Sequence, residues 1–216
     1  MYMPRHFDET RPGEVLRIIR QFPLGALVTS GPAGLDANHL PFELDPGGGG
    51  PHGVLRAHVA RANPVWTECP DGAPVLVIFR ASDAYVSPNW YPSKHETHRL
   101  VPTWNYQVVH VHGTLRVRDD EKTVRGVVAR LTREHESRTG DPRPWKMGDS
   151  APEFIDGMLK SIVGIEVEIA RIVGKSKLSQ NREARDRVGA ADALARRGEA
   201  GIADAMLGAG PGDTPA

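Results

Sequence analysis

Gln107-Val-Val-His-Val-His-Gly-Thr-Leu-Arg-Val-Arg118 decides the fold class of this chain. Val109, Val111, Leu115 and Val117 fall on one side of an extended backbone, and His110, His112, Thr114 and Arg116 on the other. That is the two-residue period of a half-buried strand. Immediately before it stands Val101-Pro-Thr-Trp-Asn-Tyr106, which brings two large aromatics and an amide up to Gln107. A segment that only filled a sheet would be Val, Ile and Leu. Rings, donors and acceptors side by side suit a planar, polar, partly anionic ligand. Three of the four tryptophans (Trp66, Trp90, Trp104) and three of the four tyrosines (Tyr85, Tyr91, Tyr106) lie between residues 66 and 106. One ring-binding place explains this concentration; an aromatic-rich core would produce it too.

Outward from that strand the same reading yields further strands at 24–29, 40–44, 53–59, 74–80, 84–87 and 162–173. Pro41 puts its strand near an edge or a bulge. Helices are expected over 12–21, just after Asn63, over 119–135, over 152–159 and through the Ala/Arg-rich stretch 182–207. Asp45-Pro-Gly-Gly-Gly-Gly-Pro51 is a hairpin loop, and 88–100 a polar loop. Short turns, helices inserted between strands and no repeated strand–helix crossover predict a mainly β fold, an antiparallel barrel with flanking helices. The domain expected spans 1–181, followed by a helical appendage at 182–207 and a disordered tail at 208–216.

The chain has 216 residues, with Lys+Arg and Asp+Glu both numbering 27. Zero formal charge argues against a general nucleic-acid binder, whose phosphate contacts need a basic excess. Cys69 is the only cysteine, so no internal disulfide can form and the chain reads as cytoplasmic. It reads as a small buried hydrophobe rather than a nucleophile. No apolar run has spanning length, which predicts no membrane insertion. No glycine-rich phosphate loop follows a strand, which disfavours a Rossmann or P-loop site.

Five constellations have chemical potential. In His58-Val-Ala-Arg-Ala-Asn-Pro-Val-Trp66 a strand ends in Arg61 and Asn63 before a helix begins. An arginine fork beside a helix N-terminus can grip phosphate; alternatively Asn63 is an ordinary cap and Arg61 a solvated charge. His95-Glu-Thr-His98 is one residue short of the zincin spacing and reads as a loop. His110 and His112 read as polar lining rather than metal ligands, and no metal is expected. The basic cluster Arg182, Arg185, Arg187, Arg196 and Arg197 is interleaved with Glu183, Asp186 and Asp192 and reads as a salt-bridged surface helix. Lys175-Ser-Lys-Leu-Ser-Gln-Asn-Arg182 is polar beyond the needs of a connector and suggests a second lip of a site. No nucleophile with a base and no acid/base pair emerges, so catalytic residues stay unassigned.

Five ordered motifs resemble one known family: Tyr2-Met-Pro-Arg-His-Phe7, His58–Trp66, Tyr85-Val-Ser-Pro-Asn-Trp-Tyr91, Val101–Tyr106 and Lys177-Leu-Ser-Gln-Asn-Arg182. Together they are similar to the PaiB family, FMN-binding negative transcriptional regulators related to pyridoxamine-phosphate oxidase. The resemblance runs from the N-terminus to about residue 185. It implies a split β-barrel that forms a homodimer with FMN at the subunit interface. It also implies that Arg56, His58, Arg61 and Asn63 hold the phosphate, with Trp66 and Trp90 nearby. The flavin ring would lie against Trp104, Asn105, Tyr106 and Gln107, and a partner's Lys177, Gln180, Asn181 and Arg182 would close the site. The implied output is repression or flavin sensing. An FMN-dependent oxidoreductase acting on a small molecule is the alternative. DNA could be a partner, although the sequence has no helix-turn-helix.

Overall fold

The computed structural model describes residues 1–209, so most of the expected disordered tail lies outside the described residues. In chain order the strands are β1 (Asp8–Glu9), β2 (Leu24–Gly31), β3 (Gly34–Pro41), β4 (Glu43–Asp45), β5 (Val54–Ala60), β6 (Pro74–Val86), β7 (Thr103–Arg118) and β8 (Ile162–Lys177). The helices are α1 (Pro12–Gln21), α2 (Val65–Glu68), α3 (Lys94–Thr97), α4 (Glu121–Glu136), α5 (Pro152–Lys160), α6 (Ala184–Arg196) and α7 (Ala200–Gly208). One sheet takes the order β3-β2-β6-β7-β8-β5-β4, with β1 beside β8. The pairs β2–β3, β2–β6, β4–β5 and β5–β8 run antiparallel.

The chain forms two compact units. One comprises Phe22–Phe79 and His110–Ile172; the other Met1–Gln21, Arg80–Val109 and the chain from Val173. In the first, β2 and β3 make a hairpin in which Leu24 faces Pro41 and Gly31 faces Gly34. Pro41 closes the edge strand β3, where its missing N–H costs the ladder nothing. Helix α4 packs on β4 and β5 through buried Val124, Val127 and Leu131. Asp120 caps it by accepting the Thr123 N–H at 2.9 Å. Arg130 of α4 grips both oxygens of Glu43 on β4 at 2.8 Å. Gly113 has a steric reason to be glycine: a Cβ there would sit 2.3 Å from the Glu168 carbonyl oxygen of β8.

In the second unit the core is an apolar cluster of Val86, Tyr91, Leu178, Leu194, Ile202 and Met206 with several alanines. Helices α6 and α7 supply much of it, so the Ala-rich stretch is core material and not only charged surface. The expected single helix is two, broken at Gly198, whose φ of 84° favours glycine. Asp186, expected on the surface, is buried; it accepts the Ser93 backbone N–H at 3.0 Å and the Ser93 hydroxyl at 2.5 Å.

Several boundaries differ from the sequence expectation: the strand at 40–44 is the end of β3 and β4, β7 begins at Thr103 and not at Gln107, and part of the 88–100 loop is α3. Residues 74–80 and 84–87 are one strand, β6. The intervening Ala81-Ser-Asp83 contains no glycine or proline to turn the chain, and the buried/exposed alternation changes phase there, as at a bulge. Strand β8 runs on to Lys177, which puts Lys175 and Lys177 on a strand and not on a connector.

Candidate functional site

The residues singled out from sequence fall into two groups, one in each unit. The first sits where β5 ends and α2 begins. Arg56 and His58 share a face of β5, as expected, between buried Leu55, Ala57 and Val59. Arg56 is committed to acids: Nη1 donates to Asp45 at 2.6 Å and Nε to Glu166 at 2.8 Å. Glu166 also accepts Arg118 Nε at 2.7 Å. Burial pushes the Glu166 carboxyl upward, but its bonds to the two arginines prevail and hold it below the ordinary carboxylate value. The buried His58 Nδ1 has no hydrogen-bond partner among the described residues. Burial lowers the pKa of this imidazole and favours the neutral form.

Arg61 is equally engaged. Its fork meets Asp119 at 2.5 and 2.9 Å, while Nε donates to the Lys160 carbonyl at 2.8 Å and Nη2 to the Ile162 carbonyl at 3.1 Å. The guanidinium also lies 5.7 Å from the Trp66 ring centre, and Trp66 Nε1 donates to the Arg61 carbonyl. Asn63 does the work of a cap: its Oδ1 accepts the Val65 N–H at 2.9 Å, and its amide donates to Asn38 Oδ1 at 2.7 Å.

The second group centres on the first half of β7. Four successive residues of a strand cannot all face one ligand, because side chains alternate. Trp104, 55% exposed, and half-buried Tyr106 take one face. Asn105 and Gln107, 0% and 2% exposed, take the other and are turned inward. The Trp104 ring meets Tyr85 edge-on, with centroids 6.1 Å apart. Lys175 Nζ lies 5.5 Å from the Tyr106 ring centre and 5.8 Å from that of Tyr2.

The inward pair is consumed by structure. Asn105 donates to the Ser179 hydroxyl at 2.9 Å and approaches the Met206 sulfur at 3.3 Å. Ser179 holds a left-handed φ of 63°, a conformation a non-glycine residue keeps only when its surroundings fix it. Gln107 donates to Glu14 at 2.8 Å and to the Ser176 hydroxyl at 3.0 Å. Glu14 is bidentate with Arg17, and this pairing, with the Gln107 bond, holds its carboxyl at about 2 against burial. That network joins residues some ninety positions apart and was invisible in the sequence.

On β8, Lys177 donates to Thr103 Oγ1 and the Trp104 carbonyl. Burial, then the charges of Lys175 and Arg182, lower its pKa. Gln180 folds back on its own turn, accepting the Leu178 N–H and donating to the Ser176 carbonyl. Asn181 is exposed. Arg182 lies over the Tyr91 ring and Arg197 over that of Trp90. The sequence placed Lys175 in the 175–182 lip without singling it out as a site residue; it is 7% exposed between two tyrosine rings, and its alternation with Lys177 along β8 was the available signal. His110 and His112, 6.4 Å apart, lie on β7 with pKa values lowered by burial. Among the described residues no group of three or more His, Cys, Asp and Glu could hold a metal ion. No described helix is long and apolar enough to cross a membrane.

Taken separately, each group suits a part of FMN. An exposed tryptophan edge-paired with a tyrosine offers a flat surface to an isoalloxazine ring, and the orphaned His58 nitrogen offers a polar contact. The two arginines are occupied by carboxylates and would have to exchange them for phosphate.

A family model described as a putative FMN-binding domain matches residues 1–171. The protease synthase and sporulation protein PAI 2 of Bacillus subtilis is 30% identical over 186 residues, covering 86% of this chain and 85% of that one. An uncharacterised protein of Saccharomyces cerevisiae is 32% identical over 157 residues, covering 64% of this chain and 92% of its own. Among solved structures, the FAD and heme binding protein of Mycobacterium smegmatis superposes with a TM-score of 0.54 at 18% identity, covering 79% of this chain and 73% of that one. A 5-nitroimidazole antibiotic resistance protein of Bacteroides thetaiotaomicron, described as putative, gives 0.53 at 12% identity, with 78% and 85% covered. The fold is of the split-barrel flavin-binding type, and the cofactor is FMN. The chain belongs to the PaiB family of FMN-binding proteins.

Proposed function

We propose that the protein is an FMN-dependent sensor whose output is negative regulation of transcription. The observation that carries the binding surface is the alternation along β7: Trp104 and Tyr106 share the open face, and Asn105 and Gln107 are spent on the fold. The flavin ring would lie against Trp104 and Tyr106. Asn105 and Gln107, which the family resemblance puts at the ring, would act through the shape of the strand.

The phosphate would be met by His58, Asn63 and Arg61. Asp119 occupies the Arg61 fork as a stand-in anion. Both side chains are about 40% exposed, and exposed ion pairs contribute little, so a phosphate dianion can take the carboxylate's place. Arg56 is a poorer candidate, since Glu166 ties it to Arg118. Lys177 and Arg182 would close the site from a second copy in a homodimer. Their clustered positive charge with Lys175 supports an anionic partner.

A second reading, an FMN-dependent oxidoreductase, is supported by His110 and His112. Burial disfavours their protonation, so neutral imidazoles are available to accept a proton near neutral pH. Bound flavin would supply the redox chemistry. Two measurements on FMN-loaded protein separate the readings. Gel-shift binding that changes with flavin load supports the sensor, and anaerobic reduction by a nicotinamide donor without DNA binding supports the enzyme.

A further inference from the structure

The C-terminal end of α4 and the segment Pro144–Met147 enclose a cavity of about 490 Å³. None of the residues discussed above for FMN lines it. Its size is that of a small-molecule site. Ala129, Trp145 and Met147 supply apolar wall, and Arg133, Glu136 and Lys146 supply charge. Trp145 is 42% exposed, and among the described residues its ring has no aromatic neighbour.

The charges are unequally used. Glu136 accepts the Trp145 backbone N–H at 2.9 Å and so ties the loop to the helix. Most arginines described here are in ion pairs, but among the described residues neither the Arg133 guanidinium nor the Lys146 ammonium is in one; the Lys146 backbone N–H donates to Asp149 Oδ2 at 2.9 Å. The lining therefore carries a net positive charge of one. The last carbonyls of α4 do not absorb it. Those of Glu134 and Glu136 accept the Ser137 and Thr139 hydroxyls, and those of Arg133, His135 and Glu136 accept the N–H groups of residues 137–139. Such capping leaves the cations free to face a ligand.

We infer that this cavity is a second binding site, for a small aromatic carboxylate. The ring would lie against Trp145 and Met147, where a flat, apolar surface is open. The carboxylate would be met by Arg133, whose planar fork suits two oxygens, and by Lys146. A neutral ring lacks that partner, and an aromatic cation would meet like charge.

The test uses the full-length protein and phenylacetate, with phenylacetamide and benzylamine as the neutral and cationic analogues. Binding is read by indole N–H shifts in nitrogen-15 correlation spectra, where the four tryptophans are resolved by a Trp145→Phe variant. The expected result is saturable phenylacetate binding that moves the Trp145 signal. Phenylacetamide should bind at least tenfold more weakly and benzylamine not at all. Arg133→Ala and Lys146→Ala, both at exposed positions, should each weaken phenylacetate several-fold while leaving the other indole signals in place. No saturation at millimolar phenylacetate, equal affinity for the amide, or affinity unchanged in both variants would each overturn the proposal.

Discussion

Asn105→Ala and Trp104→Ala, neighbouring substitutions on β7, should act on different quantities. Asn105 is fully buried, and its amide satisfies the hydroxyl of Ser179, a residue held at a left-handed φ of 63°. Removing it strands a buried hydroxyl and opens a void beside Met206, which together cost about 2–4 kcal/mol. For a chain of this size that lowers the melting temperature by roughly 5–15 °C. Trp104 is more than half exposed and meets the Tyr85 ring edge-on. Its loss should leave melting almost unchanged. What it removes is ring stacking on the flavin, worth about 0.5–1.5 kcal/mol beyond area burial, or roughly a two- to tenfold rise in the FMN dissociation constant. The assay pairs differential scanning calorimetry with FMN fluorescence titration below the melting range. If Asn105→Ala weakened FMN tenfold with no change in melting, the inward assignment of Asn105 would be wrong. If Trp104→Ala bound FMN like the parent, the open face of β7 would not be the flavin surface.

Further outcomes follow from the same geometry. Asp119→Asn should free the Arg61 fork and tighten FMN several-fold, while Arg61→Ala should weaken it; an unaltered constant in both places the phosphate elsewhere. The Glu14 carboxyl is held at about 2 against an ordinary 4.5, chiefly by Arg17 and Gln107. A depressed carboxylate stabilises the fold above its unfolded value and loses that effect as pH falls. Stability should therefore decline between about pH 4.5 and pH 2, and Glu14→Gln should flatten the decline in a pH series of urea midpoints. A steeper acid transition in that variant would contradict the assignment. Sedimentation of the FMN-loaded protein should give twice the chain mass, and a monomer with full FMN affinity would refute closure of the site by a partner's Lys177 and Arg182.

The alternation of β7 was plain in the sequence because Val109, Val111 and Leu115 recur every second residue against polar partners. The helix α1 was equally plain, with Pro12 at its start and Ile18 and Ile19 on its buried side. What stayed hidden depends on tertiary contact. Nothing local distinguishes Ser82-Asp83 as a phase change in a continuous strand from a turn between two. The Ala-rich helices gave a surface reading because their buried face is made of alanine, and Asp186 gains its place from Ser93, ninety-three positions away. The site was legible as a set of residue types but not as an arrangement. Tryptophan, asparagine, tyrosine and glutamine in succession announced ring-binding chemistry, yet only the pleat decides that alternate members face the ligand. Likewise Arg61 was a plausible phosphate fork on sequence, and the presence of Asp119 within it comes from fifty-eight positions away.

Adding FMN to the purified protein and following its visible absorption and fluorescence tests the central claim most directly. The account predicts stoichiometric binding with a perturbed flavin spectrum, weakened by Trp104→Ala but not by Trp145→Phe. A protein that stays colourless and leaves the FMN spectrum untouched would contradict it.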